Sequence, residues 1–300
     1  MKEKSKFKFL FILLPVIIFS CFSFNMLYAW ASSYFDAYHS FQKLDGKVSS
    51  LAKNFKGEYS FIIKDIQKPF LEISCGENRP YPAASLIKLP VAAVAFKAVS
   101  EGKVSLDDKF VINARDITGG SGIIKTMPTP VSLTFKEIVE IMISDSDNTA
   151  ANKIIDILGY DYINNGFKAL GLKQTILERR MMDFSKRKKG VENYTSASDI
   201  VYLLEKIYKG QLIDAESSRS LLSFLSKQRI KDRIPRYLPK DVKVAHKTGL
   251  ERGVVHDAGI IFSEKGDCVV CVLTKKVKNY SSAKKFIAKL SLIAYNDLYQ

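Results

Sequence analysis

Val242 to Thr248 (VKVAHKT), Val255 to Phe262 (VHDAGIIF) and Cys268 to Thr274 (CVVCVLT) decide the fold class. Each run is rich in Val, Ile, Cys and Thr and is separated from the next by Gly, Ser, Asp or Glu, which is how consecutive strands read. A helix capped near Ser281 follows them. Working outward, two further β runs lie far upstream, Glu58 to Ile66 and Phe70 to Cys75, joined through Gln67-Lys68-Pro69 as a hairpin.

The stretch between the hairpin and the late strands reads as helical. Ala84 to Val99 forms one helix, with Pro90 close enough to its start to be tolerated and Gly102 just past its end. Thr134-Phe135-Lys136-Glu137 makes a capping box ahead of Ile138, Val139, Ile141 and Met142, and Asn148 to Leu158 stops at Gly159. Helices are also expected from Tyr34 to Phe55, Tyr160 to Leu170, Ser198 to Tyr208 and Ala215 to Ser226. The pattern predicts an α+β protein in which an antiparallel sheet of about five strands is covered by helices, with an all-helical lobe inserted between the hairpin and the last three strands. Functional residues then belong between the lobes.

Composition narrows the function. With 300 residues and 47% hydrophobic content the chain can bury a sizeable core, and no polar linker divides it. Met1 to Lys8 carries four lysines, and Phe9 to Phe35 holds no charged residue, so residues 1–31 are an export signal or an N-terminal membrane anchor and residues 32–300 the catalytic domain. Ala29-Trp30-Ala31 suits cleavage, the length of the uncharged run suits retention, and Ile18-Phe19-Ser20-Cys21 loosely resembles a lipoprotein site. The net charge of +15 then points to an anionic cell envelope or membrane surface as partner; export and the lack of a recognition motif argue against nucleic acid. The chain is expected to act extracytoplasmically, secreted or anchored, as a monomer.

Cys75, Cys268 and Cys271 follow the signal, an odd number for an exported chain and no disulfide framework, and the C-x-x-C pair lies in a β run where residues three apart face opposite sides. They are read as core cysteines. His39, His246 and His256 have no metal-site spacing, and no metal or other cofactor is expected. Gly119-Gly120-Ser121-Gly122 lacks the strand and the Lys-Ser/Thr pair of a P-loop and reads as a flexible loop beside the cleft.

Three short motifs carry chemistry. Ser85-Leu86-Ile87-Lys88 puts a hydroxyl and an amine on one helix face, where a lysine of depressed pKa can take the serine's proton. Ser146-Asp147-Asn148 falls in a turn between helices, and Lys247-Thr248-Gly249 ends a strand. Each alone is ordinary, a helix cap or a strand-end lysine. Their order and their settings together are not.

The set resembles the S-x-x-K, S-D-N and K-T-G motifs of class A β-lactamases and penicillin-binding proteins, over most of Glu58 to Gln300. Thr149-Ala150-Ala151-Asn152 resembles the class A continuation. The resemblance implies a three-layer α/β/α sandwich of the β-lactamase/transpeptidase type. It implies that Ser85 attacks the lactam or peptide carbonyl to give an acyl-enzyme, that Lys88 helps remove its proton, and that Ser146 passes a proton to the leaving nitrogen. It further implies that Asn148 binds the substrate side-chain amide and steadies Lys88, and that Lys247, Thr248 and Gly249 form the substrate-binding strand end, where Lys247 and Thr248 hold the substrate carboxylate. The backbone NH groups of Ser85 and Leu250 would form the oxyanion hole. Arg252 is a further carboxylate-binding candidate or, alternatively, a surface turn residue.

One departure stands out. In the stretch Thr175 to Ser185, Arg179 falls on the family's arginine, Met181 on the glutamate that activates the deacylating water, and Ser185 on the family's asparagine. A thioether accepts no proton from water. Asp183 and Glu192 are candidate replacement bases; the alternative is that they pair with Arg179, Arg180 or the basic run Lys186-Arg187-Lys188-Lys189. Three readings follow: a β-lactamase with slow turnover, a D,D-peptidase or other cell-wall amidase using the same nucleophile, or a non-catalytic module that binds β-lactam or peptidoglycan.

Overall fold

The computed structural model describes residues 42–299. The N-terminal apolar segment, Cys21 and His39 lie outside the described residues, as does the first part of the helix expected from Tyr34; its described part, α1, covers 42–53.

The late strands form as read: β7 (Val244–Glu251), β8 (Val254–Ile261) and β9 (Cys268–Lys275). The upstream hairpin supplies β1 (Glu58–Asp65) and β2 (Glu72–Cys75). They join in one antiparallel sheet of order β2-β1-β9-β8-β7, with Glu58 opposite Lys275 and Asp65 opposite Cys268. Every residue of β8 and nearly every one of β9 is buried, which is why neither strand alternates and β9 reads as an almost continuous apolar run, while β8 is apolar apart from the buried His256 and Asp257.

Both faces are covered, by different helices. Ile62, Val269, Cys271 and Leu273 face a core shared with α2 (Lys88–Ser100), α3 (Phe135–Ser144), α4 (Asn148–Leu158), α7 (Ala197–Tyr208) and α8 (Ala215–Ser226). Phe61, Ile63, Val270, Val272 and Cys268 face a second core with α1 and α9 (Tyr280–Tyr299). The two cysteines of the C-x-x-C pair thus lie in opposite cores, as strand periodicity requires. The layers are helix, sheet, helix.

The inserted lobe holds α2 to α5 (Tyr160–Ala169) and α6 (Phe184–Lys188). Thr134 caps α3: its hydroxyl accepts from the Glu137 NH while Glu137 accepts from the Thr134 NH. Two differences from the sequence reading bear on the site. Ala84 to Val99 is not one helix; Ala84–Ile87 is a 3-10 turn and the α-helix starts at Lys88, with Ala84 in the left-handed region at φ 45°. In addition, two small ladders lie outside the main sheet: β4 (Lys109–Ile112) with β5 (Val131–Thr134), and β3 (Tyr81–Pro82) with β6 (Tyr194–Thr195). Their strands are two to four residues long, too short to show a period.

Candidate active site

Ser85 sits in the 3-10 turn, half-buried, at the wall of a cleft of about 1020 Å³. One turn on, Lys88 enters α2 with no exposed surface. Its Nζ donates to Ser85 Oγ at 3.2 Å, to Asn148 Oδ1 at 2.7 Å and to the Ser146 carbonyl at 2.5 Å, and lies 3.4 Å from Ser146 Oγ. Burial pushes the Lys88 ammonium down to about 7, against a smaller opposing pull from Asp147. Near neutral pH this amine is therefore partly deprotonated, the state in which it can accept a proton from a hydroxyl.

The second amine arrives from the sheet. Lys247 on β7 is fully buried and donates to Ser146 Oγ at 2.8 Å and to the Thr248 carbonyl at 3.0 Å. Burial, reinforced by the nearby Lys88 and Arg233 charges, holds it well below the ordinary lysine range. Ser146 Oγ therefore lies between the two amines, the position from which one hydroxyl can exchange protons with either.

The turn that presents Ser146 is held from both sides. Ser146 itself is left-handed at φ 56°. Asp147 caps α4 by accepting from the Ala150 NH at 2.9 Å, and its other oxygen accepts from the Ile124 NH at 2.8 Å. Asn148 donates from Nδ2 to the Gly119 carbonyl at 2.8 Å, and its backbone NH donates to the Ser121 carbonyl at 3.0 Å. The glycine-rich loop does border the cleft, but it is tied to the Ser146-Asp147-Asn148 turn by these bonds. Its glycines are needed there: a Cβ on Gly122 would meet Asp147 Oδ2 at 2.1 Å.

Strand β7 forms the opposite wall. Thr248 and Leu250 line the cleft, and Gly249 makes room for His256 on the neighbouring strand, since a Cβ there would lie 3.2 Å from His256 Cβ and Cδ2. His256, on β8, braces the nucleophile's turn: its Nδ1 accepts from the Thr274 NH at 3.0 Å and its Nε2 donates to the Pro82 carbonyl at 2.7 Å. Burial lowers it to about 4, so the ring is neutral and keeps this one tautomer.

Met181 occupies the third wall, buried and facing the cleft. Asn152 holds it by accepting from its NH at 2.8 Å and donating to its carbonyl at 3.3 Å. The two candidate replacement bases are engaged elsewhere. Asp183 caps α6, accepting from the Lys186 NH at 2.9 Å, and Glu192 is paired with Arg179 and Arg187. Neither is among the cleft-lining residues, whereas Arg252, at the β7–β8 turn, is.

One lining residue escaped the sequence reading. Arg233 is 1% exposed; its Nη1 donates to Asp232 at 2.8 Å, while its buried Nε has no hydrogen-bond partner. Asp257, which accepts from His246 Nδ1 at 2.9 Å and from the Ile234 NH at 3.0 Å, anchors the segment that carries it. A single Arg before Ile234-Pro235 in a loop gives no sequence signal of its own.

Comparison with known proteins agrees with this geometry. The model of the β-lactamase enzyme family matches residues 43–298. Among curated relatives, β-lactamase AER-1 of Aeromonas hydrophila is 30% identical over 200 residues, covering 65% of this chain and 59% of that protein. Among solved structures, a β-lactamase from Sphaerobacter thermophilus is 29% identical with a TM-score of 0.76, covering 84% of this chain and 95% of that one. PBP-A, solved as a mutant in an acyl-enzyme complex with penicillin G, is 27% identical with a TM-score of 0.75 over 86% of this chain and 95% of its own. Since the family match spans nearly all described residues, the chain belongs to the β-lactamase enzyme family and is a serine hydrolase of the β-lactamase type.

Proposed function

We propose that the protein opens β-lactams by acylation of Ser85 and releases the acyl group slowly. The observation that carries this reading is the buried Lys88 amine, 3.2 Å from Ser85 Oγ with its pKa brought to about 7. In this mechanism neutral Lys88 takes the Ser85 proton as Oγ bonds to the lactam carbonyl carbon. The C–N bond then breaks, and Ser146 gives the ring nitrogen its proton, which is replaced by the one Lys88 took from Ser85, Lys88 Nζ lying 3.4 Å from Ser146 Oγ. The backbone NH groups of Ser85 and Leu250 take the oxyanion. Thr248 and Arg233, which line the cleft, offer the substrate carboxylate its donors, with Lys247 buried behind them.

Intact-mass spectrometry after benzylpenicillin tests it: one adduct is expected on the parent and none on Ser85→Ala. Folded parent protein without an adduct would refute the proposal.

A second reading, a D,D-peptidase acting on wall peptides through the same nucleophile, is favoured by Met181 standing in the cleft where a water-activating carboxylate is wanted. Release of D-alanine from a peptidoglycan stem peptide would select it. We also infer that the uncharged segment Phe9 to Phe35 places residues 32–300 outside the cytoplasm, which cell fractionation of the full chain checks.

A further inference from the structure

The strands of the sheet run between two ends, and the cleft lies at one of them. There the β7–β8 turn, Arg252-Gly253, borders the cleft, and the Val277 NH, just past β9, donates to the Gly253 carbonyl at 3.0 Å. Helix α9 starts at this end, where the Gly253 NH donates to Tyr280 Oη at 3.0 Å, and its 20 residues run about 30 Å back along the sheet. Helix α1 lies antiparallel to it: Phe55 stacks on Phe286 with ring centroids 4.3 Å apart, and Lys47 Nζ donates to Asp297 at 2.5 Å. Gln42, where the described residues begin, therefore stands at the end of the sheet away from the cleft.

That second end also gathers the β1–β2 turn (66–71), the β8–β9 turn (262–267) and the segment leading into β7. The Asp267 NH donates to Gln67 Oε1 at 2.9 Å, and the Phe262 NH donates to the Lys243 carbonyl at 3.0 Å. Lys43, Lys68, Lys240, Lys243 and Lys265 are exposed on these segments, and none of the five is held in an ion pair among the described residues; the exposed carboxylates beside them are Asp241 and Glu264. Phe70, in the β1–β2 turn, is 42% exposed. At the cleft end, by contrast, Lys275 and Lys276 are paired with Glu58, Lys284 with Asp232, and Arg187 with Glu192 and Glu251.

We propose that the end carrying Gln42 is a membrane seat: Phe70 and the five unpaired lysines rest on an anionic bilayer, and the cleft opens away from it. The seat rests on the reading of residues 1–31 as a retained anchor and owes nothing to the β-lactam reading. Ten residues, 32–41, separate that segment from Gln42 and reach at most about 40 Å fully extended, so this end of the domain is the one held beside the membrane. A tethered surface meets its partner at millimolar effective concentration, where weak attraction suffices. Each lysine at an anionic surface contributes about fivefold to partition, and an exposed aromatic ring among lysines suits the headgroup layer.

Hydrogen–deuterium exchange on the full chain, reconstituted in vesicles of phosphatidylcholine alone or mixed equally with phosphatidylglycerol, tests the seat. Exchange over 66–71 and 262–267 is expected to slow about fivefold in the anionic vesicles, with 251–254 unaffected. The slowing should disappear in about 1 M salt, where charge reaches only about 3 Å. It should also disappear in the double variant Lys68→Glu, Lys265→Glu, whose melting temperature and acylation are expected to match the parent. Equal exchange in both kinds of vesicle, or slowing at 251–254 instead, would overturn the seat. So would slowing by a soluble glycerol-phosphate polymer on neutral vesicles with none from anionic lipid, which would assign the lysines to a wall polymer. A full chain that alkaline carbonate strips from the vesicles loses both the anchor and the seat; one that stays bound with equal exchange loses the seat alone.

Discussion

Lys88 concentrates the cost and the use of the site in one side chain. Its folded pKa of about 7 lies below the ordinary value of 10.5. The unfolded chain therefore binds the proton more tightly, and the resulting destabilisation is full below about pH 7 and fades as pH rises toward 10.5. Lys88→Met should remove that penalty while abolishing acylation. Its gain over the parent in urea melts is expected to be a few kcal/mol at pH 6 and to shrink toward pH 10. In the parent, the acylation rate should fall as pH drops below about 7 and protonates the amine. At Met181, a glutamate held by the same two Asn152 bonds would supply the missing base. Met181→Glu is expected to shorten the acyl-adduct lifetime about 100-fold or more in timed mass spectra.

Among the elements, two of the lobe's helix caps differ in what they carry. Thr134 holds only the start of α3, and Thr134→Ala is expected to cost about 1 kcal/mol with acylation unaltered. Asp147 is buried and satisfies donors from both α4 and the 3-10 turn that follows the glycine-rich loop, so Asp147→Ala strands two NH groups. A loss of about 2–3 kcal/mol in denaturant melts is expected there, together with at least about tenfold slower acylation, because Ser146 and Asn148 flank it. The sequence showed this turn and the strand end Lys247-Thr248-Gly249 clearly, since caps, Gly stops and β runs are local signals. It offered the pairing of Glu192 with Arg179 and Arg187 as the alternative to a base, and that alternative is the one the structure has, but it did not show Arg233, whose place depends on Asp257 bonding Ile234 from a distant strand. The 3-10 turn at Ser85 was hidden for a similar reason: Ala84 carries a positive φ that nothing in its side chain announces.

At the scale of the whole molecule, the two cores have separate duties. The core between the sheet and α9 lies on the face away from Ser85, and Leu290 in it is fully buried. Leu290→Ala is expected to cost about 2–5 kcal/mol and lower the melting temperature, with acylation well below that temperature unchanged. The five-stranded sheet and the lobe between its halves were legible because most of the strands are long and the central ones are rich in β-branched and other apolar residues. The pairing of β1 with β9 also has a bearing on biosynthesis. A strand made early must wait for one of the last to emerge from the ribosome before the sheet has its middle, and contacts so far apart along the chain form slowly. A growing or prematurely terminated polypeptide ending before Cys268 would lack the strand between β1 and β8, and Lys247 would have no finished sheet to present it. Reactivity toward antibiotics is thereby deferred until translation is nearly complete.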